Sequence, residues 1–400
     1  MVAAHSAFAE GSAGSCAASF CLVRDDALIR LQRRIGLVPA HGLGIVRRAL
    51  FFGMLGWLPL VLIAAVHGHL LAGTAVAEPL LGHYAVHVRA LVGVPLLIAA
   101  EALAHTVIPL CLSEFVRNGM VDGPLDARFR QIIEAGARLR DRTYPWVVIA
   151  GVALAWTAAM SVAPHPDSIR WGDAGGASGF AVWWFLLVSR PIFNVLLLAW
   201  LWRLALLCIV MFRIARLPLR LVPSHPDRFG GLGFLARLPL AFAPFSLAVS
   251  AVVAAAWAHE VVYHGVPVST LYVPMGTLVI VLAVLVLAPL LCFTPLLMRT
   301  RKRGVLDYGV LLSEHGRKVD DRWMHGRAGL EDDPLLNAPE LGPVADTHAL
   351  YEAVERTRVA LVNKSALVAT IVPAALPMLV LVAAQFPLGQ VLAKLLVALL

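Results

Sequence analysis

An ionisable side chain inside an apolar run is the feature of this sequence most able to do chemistry, and Glu101 is the clearest case. It lies in HVRALVGVPLLIAAEALAHTVIPLCL, with His105 one helical turn further along the same face. Charge in hydrocarbon is costly, so Glu101 must face protein or water rather than lipid, and Arg190 and Arg203 of the apolar stretch 179–212 are its candidate partners. Two roles follow from that chemistry: a buried ion pair that fixes helix register, or a station on an ion or proton pathway.

Histidines form a second constellation. His67 and His69 end the first apolar stretch, and His83 and His87 share a helical face before the second. His165, His259 and His264 occupy the other outer loops, with Glu260 adjacent. Imidazole and carboxylate suit a bound metal, so His67, His69, His83, His87, His259, Glu260 and His264 are its candidate ligands. No HExxH occurs and no interval fixes a ligand set, so the plainer reading is interfacial polar residues and no cofactor is expected. Haem between helices would need paired axial ligands at matching depth, and His105 is the one histidine deep in an apolar run.

The third feature is the stretch from Trp200 to Leu235, where an arginine-bearing helix leaves an apolar layer, turns through His225-Pro226-Asp227 and crosses a glycine cluster. Gly230, Gly231 and Gly233 permit positive φ and close backbone approach. Exposed N–H groups beside Arg220, Arg228 and Arg237 would make a site for an anion or a phospholipid headgroup. The competing reading is a tight turn joining two membrane spans. No nucleophile–base pair, phosphate-binding motif or dinucleotide fingerprint occurs, so no catalytic residue is assigned and an enzyme is not expected.

The elements that must position these groups follow from composition. A chain of 400 residues that is 60% hydrophobic and 14% charged has too few polar groups to cover a soluble domain. Seven apolar stretches reach or approach the roughly 20 residues needed to cross a bilayer: 49–67, 90–112, 144–163, 179–212, 238–258, 270–297 and 366–385. Lys and Arg number six before the first, six in 113–143, five in 213–237 and eleven in 298–364, against Arg170 alone in the alternate loops. By the positive-inside rule this places the N-terminus in the cytoplasm. The basic side belongs to the membrane rather than to nucleic acid.

Four regions result: a loosely ordered cytoplasmic tail at 1–48 that ends in the basic run Arg30 to Arg48, six spans over 49–298, a cytoplasmic segment at 299–364, and a seventh span with an interfacial helix at 365–400. No cleavable signal peptide is expected. Within 113–143, Leu125, Phe129, Ile132, Ile133 and Leu139 share a face, which predicts an amphipathic helix packed on the ends of the spans. Stretch 179–212 is too long for a simple span. Either it continues beyond the membrane, with Trp183–Trp184 and Trp200–Trp202 as interfacial belts and Arg203 at the boundary, or it breaks at Ser189-Arg190-Pro191 and leaves Arg203 near mid-membrane. The belts favour the first. A helix from Thr347 is expected to lead directly into the last span. Five cysteines without CxxC spacing imply neither a disulfide framework nor a zinc site, and a dense set of prolines predicts kinked spans.

The segments HVRALVGVPLLIAAE, RLRDR, VSRPIFNVLLLAWLWR, LPLRLVPSHPDRFGGLGFL and YGVLLSEHGRKVDDRW together resemble a group of uncharacterised bacterial multi-pass inner-membrane proteins whose hallmark is an HPD-x-x-GGLGFL loop. The likeness covers about 49 to 400, and it departs where ELGPVADTHAL stands in place of a segment like DIQSLADL. It implies the inner membrane and a special cytoplasmic loop, and it carries no activity.

The sequence thus predicts an all-α membrane protein, a bundle of about seven transmembrane helices with kinked spans and a cytoplasmic amphipathic helix, homo-oligomeric in the bilayer. Its leading function is a channel or transporter for a small ion or solute. The alternatives are a membrane-embedded metal or redox protein using the outer histidines, and a scaffold that binds lipid or protein.

Overall fold

The computed structural model describes residues 20–23, 26–39, 42–71, 79–162, 177–325 and 342–384. His165, Arg170, the acidic stretch 331–341 and the final dozen residues lie outside these. All regular structure among the described residues is helical. In chain order the elements are α1 (Ala27–Arg34), α2 (Ile45–Val66), α3 (Tyr84–Arg117), α4 (Pro124–Asp141), α5 (Tyr144–Val162), α6 (Gly179–Ala215), α7 (Leu238–Tyr263), α8 (Tyr272–Leu291), α9 (Thr294–Val319), α10 (Gly342–Glu355) and α11 (Lys364–Ala383).

Six of these, α2, α3, α6, α7 (with its lead-in from Leu232), α8 and α11, are long and apolar enough to cross a membrane. The stretch expected at 144–163 is α5, whose 19 apolar residues, Tyr144–Val162, make about 28 Å of helix, close to the thickness of a hydrocarbon core. Val273, Ile280 and Val284 of α8 and Leu379 and Val380 of α11 point outward and exposed. An apolar exterior over a packed interior is what hydrocarbon as solvent requires, and the chain is an integral membrane protein in contact with lipid.

Stretch 179–212 is one helix and not two. Its turn at Phe185–Ser189 widens to a π-helix, as does Arg89–Gly93 in α3. Each π turn ends two residues before a proline, Pro191 and Pro95 respectively. A proline lacks the N–H for the carbonyl four residues back and its ring crowds that carbonyl, so a wider turn relieves both faults without breaking the helix. The widened turns then make the docking places for α2: a Cβ on Gly53 would stand 3.0 Å from the Ala90 carbonyl, and one on Gly56 would stand 3.5 Å from Ser189 Oγ.

The tryptophan-belt expectation fails at Trp200. Trp200 is buried, its Nε1 donates to the Leu97 carbonyl at 2.9 Å and its ring packs on Phe242 and Phe245. An indole with an internal acceptor has no need of the interface.

The larger correction concerns the N-terminal region. Residues 20–23 and 26–38 do not form a loose tail, because Phe20, Cys21, Leu22, Val23, Ile29 and Val38 belong to the main hydrophobic core. The short α1 begins at Asp26, whose carboxylate accepts from Leu28 N at 3.1 Å, and it turns Ile29 and Gln32 inward while Arg30, Arg33 and Arg34 remain exposed. Phe20 fits against Gly136 of α4, and Arg140 of α4 donates to the Cys21 carbonyl. This segment fills the basic end of the bundle between α2, α3, α4 and α6. The amphipathic α4 buries Phe129, Ile133 and Gly136, and Gly136 lets Val210 of α6 approach.

Candidate functional site

Four helical elements converge on Glu101, and both of its oxygens are engaged. Oε1 accepts from Arg203 Nη1 of α6 at 3.0 Å, and Oε2 accepts from Arg48 Nη1 of α2. Arg203 turns its remaining edge to the N-terminal segment: Nε and Nη2 donate to one oxygen of Asp26 at 3.2 and 2.8 Å. Its guanidinium also stands 5.2 Å over the Trp200 ring. Arg48 Nε donates to Gln32 Oε1 of α1 at 2.5 Å, while Arg48 Nη2 is buried with no hydrogen-bond partner.

All four charged side chains are buried, none more than 2% exposed in its side chain, so this is an interior network and not a surface pair. Two arginines and two carboxylates balance to zero, the condition under which charge survives in a low-dielectric interior. Burial pushes the Asp26 carboxyl above the usual carboxylate range, with the Arg203 guanidinium pulling the other way. Depth follows from helix rise. Arg203 stands five residues, about 7.5 Å, before Cys208, whose carbonyl lies 3.9 Å from the Sγ of Cys292 just beyond α8. The network therefore sits more than a turn inside the plane where α8 ends.

Sequence reasoning paired Glu101 with Arg203 and did not find the rest. Arg190 is not at Glu101: it belongs to a separate layer, where Arg190 and Arg89 flank the Phe185 ring at 5.0 and 5.8 Å. Arg48 was hidden in a basic run that reads as a topology anchor, and Asp26 in a segment that reads as tail. The one signal for the latter is local, an aspartate before ALIRLQRR, which is an N-cap ahead of an amphipathic turn. His105 lies a turn from Glu101 with its Nδ1 3.0 Å from Cys21 Sγ. Beside the network a cavity of ≈ 290 Å³ opens between α2 and α6, walled by apolar side chains such as Phe52, Leu187 and Val195, with Gln32 as its polar contact.

The His-Pro-Asp loop has a different logic from the one expected. Its amides are not exposed: the Asp227 carboxylate accepts from Phe229 N at 2.8 Å, Gly231 N at 3.1 Å and Gly233 N at 2.8 Å. The loop fills its own nest, and Asp227 is the anion the glycine amides hold. Gly231 has φ +96°, and a Cβ on Gly233 would stand 2.9 Å from Asp227 Oδ2, so neither position admits a side chain without strain. His225 Nδ1 lies 2.9 Å from Asp227 Oδ1, and Arg228 adopts φ 61°. The fold of the loop presents carbonyls outward to another segment: Thr357 Oγ1 donates to Pro223 O at 2.9 Å and Arg358 N donates to Arg228 O at 2.8 Å. Hence α10 does not run directly into α11. The chain leaves helix after Glu355 to make these contacts and restarts at Lys364 under an Asn363 cap. Arg220, at the rim, pairs with the exposed Asp122.

At the opposite end the histidines do not act as one set. His87 accepts from Trp57 Nε1 at 2.8 Å and its Nε2 lies 3.0 Å from the Leu80 carbonyl. His259 stacks between His83 and Tyr263 at 4.7 and 4.9 Å, with Nδ1 bound to Gly82 O and a buried Nε2 that has no hydrogen-bond partner. His264 packs edge-on against His259 at 5.4 Å, Glu260 Oε1 is buried without a hydrogen-bond partner, and His67 is exposed with its Nδ1 at Ile63 O. His69 lies just beyond α2, where its carbonyl accepts from Leu80 N. Among the described residues no three His, Cys, Asp or Glu side chains converge as a metal ion would need.

No protein-family model, no curated protein and no solved structure matches the chain. What the protein does has to follow from these side chains and their places in the bundle.

Proposed function

We propose that this protein is a channel or transporter for a small ion or solute, with the Arg48–Glu101–Arg203–Asp26 network as its gate at the cytoplasmic end. One observation carries this reading: three spans hold an intramembrane charge cluster whose last partner, Asp26, comes from a short segment that spans nothing. A cluster needed only to fix helix register would be complete within the spans. Here withdrawal of the N-terminal segment would leave two donors of Arg203 without their acceptor, uncover Glu101 and join the adjoining cavity to the cytoplasmic side. The second layer of buried arginines, Arg89 and Arg190, lies about 18 Å further along the same helices, twelve residues from Glu101 and thirteen from Arg203. That layer supplies a further polar station on the way across. Ionisable side chains within membrane spans are costly and commonly line ion or substrate pathways.

The test is flux in proteoliposomes across a panel of monovalent anions, cations and protons, measured on the whole chain and on a variant lacking residues 1–38. Flux that is faster in the shortened variant supports the reading. Absence of flux for every species in both, with helical content intact, refutes it and leaves the network as a structural lock in a membrane scaffold.

A further inference from the structure

The chemistry of Asp26 identifies what kind of ion the gate is built around. Arg203 presents Nε and Nη2, the side-on edge of a guanidinium, and both donors meet a single carboxylate oxygen. That edge is shaped for a planar oxyanion, because its two N–H bonds run parallel. Arg48, on the other side of Glu101, keeps Nη2 buried and without a hydrogen-bond partner. Without Asp26 the spans would hold two guanidinium groups against one carboxylate, a net positive charge in a water-poor interior. Such a site must find an anion or collapse.

We propose that Asp26 is a tethered stand-in for the substrate: the Arg203 edge is a binding site for a small monovalent oxyanion, with simple carboxylates as its type, and the N-terminal segment keeps it filled from within. This inference rests on reading the network as a gate, and it adds the class of ion. The site is selective by geometry as well as by charge. Asp26 meets both donors with one oxygen, whereas a free carboxylate, not held by the chain, can offer one oxygen to each and a spherical halide has a single centre to share; a cation would be repelled once Asp26 leaves. Gln32 and Cys21 travel with Asp26 on the same segment, so release of the aspartate also exposes the cavity wall and the Cys21 thiol, which is buried at 2% exposure.

The geometry allows the segment's fold to be separated from its charge. Asp26 has two jobs, capping α1 through Leu28 N and binding Arg203, and a serine does the first without the second. In detergent, formate should leave the thermal midpoint of the native protein unmoved and raise that of Asp26→Ser in a saturable way, whereas chloride at equal ionic strength should not. In an otherwise cysteine-free protein that keeps Asp26, formate should raise the maleimide labelling rate of Cys21 by about tenfold or more, since a competitor takes over two charge-assisted hydrogen bonds. If Asp26→Ser cannot be purified, the Cys21 measurement decides alone. No response to formate in either measurement, or an equal response to chloride, overturns the proposal. Proteoliposome flux separates the two levels. Cation-only flux with no formate effect sinks the anion site and leaves the transport reading standing, while formate binding without flux does the reverse.

Discussion

Replacing Glu101 by glutamine tests whether the interior network is a single electrostatic unit. In the native protein the charges of Arg48, Arg203, Glu101 and Asp26 sum to zero, and all are buried. Glu101→Gln leaves a net charge of plus one in the interior, and Arg48→Gln leaves minus one. Removing one member of a buried pair costs about 3–5 kcal/mol, because the survivor stays buried without its counter-charge. Each single variant should lose that much. The double variant retains the Asp26–Arg203 pair and returns to neutrality, so it should be more stable than either single one. The coupling energy should then approach about 3 kcal/mol, the upper end for residues in contact. An equivalent cycle on the exposed Arg220–Asp122 pair should give no more than about 1 kcal/mol, since water screens both groups. Reversible unfolding in mixed micelles with increasing detergent denaturant supplies the four free energies. Additive effects of Glu101→Gln and Arg48→Gln would refute the picture, and would mean that water rather than protein solvates Glu101.

Two further outcomes are expected. Gly82→Ala should lower the unfolding midpoint by the equivalent of about 1–3 kcal/mol, the usual cost of overpacking, because its Cβ would stand 2.2 Å from the Tyr263 hydroxyl; Gly151→Ala, which meets nothing within 4 Å, should be neutral, and equal effects would refute this packing. Asp227→Ala strips three amides of their acceptor and should both destabilise the protein by about 1–3 kcal/mol per amide left dry and open residues 222–233 to protease, with Asp227→Asn intermediate; an intact, resistant loop would show that its amides find water instead.

Sequence by itself determined what could be read from periodicity and hydrocarbon solubility. The apolar stretches had to be helices because only helices satisfy their own backbone in lipid, and the amphipathic face of 124–141 had to lie on the bundle. It also determined that Glu101 could not face lipid and that an arginine of the long stretch, Arg203, was available to it. What it could not determine was decided by contacts between segments far apart in the chain. Arg48 stands in a basic run that reads as a topology anchor, and the one local signal at Asp26, an N-cap before ALIRLQRR, marks a helix start and not an ion pair; only packing against α2, α3, α4 and α6 draws residues 20–23 and 26–38 inward. Arg190 and Arg203 look alike as arginines in one apolar stretch, yet thirteen residues of helix put them roughly 20 Å apart, and Glu101 can meet only one. The glycine loop misled for a related reason. Its amides do form an anion nest, and the anion is Asp227 from the loop itself, a choice set by backbone closure and invisible in residue types. Charge and hydropathy fix which groups must be buried or satisfied, and the packed bundle decides which partner satisfies each of them.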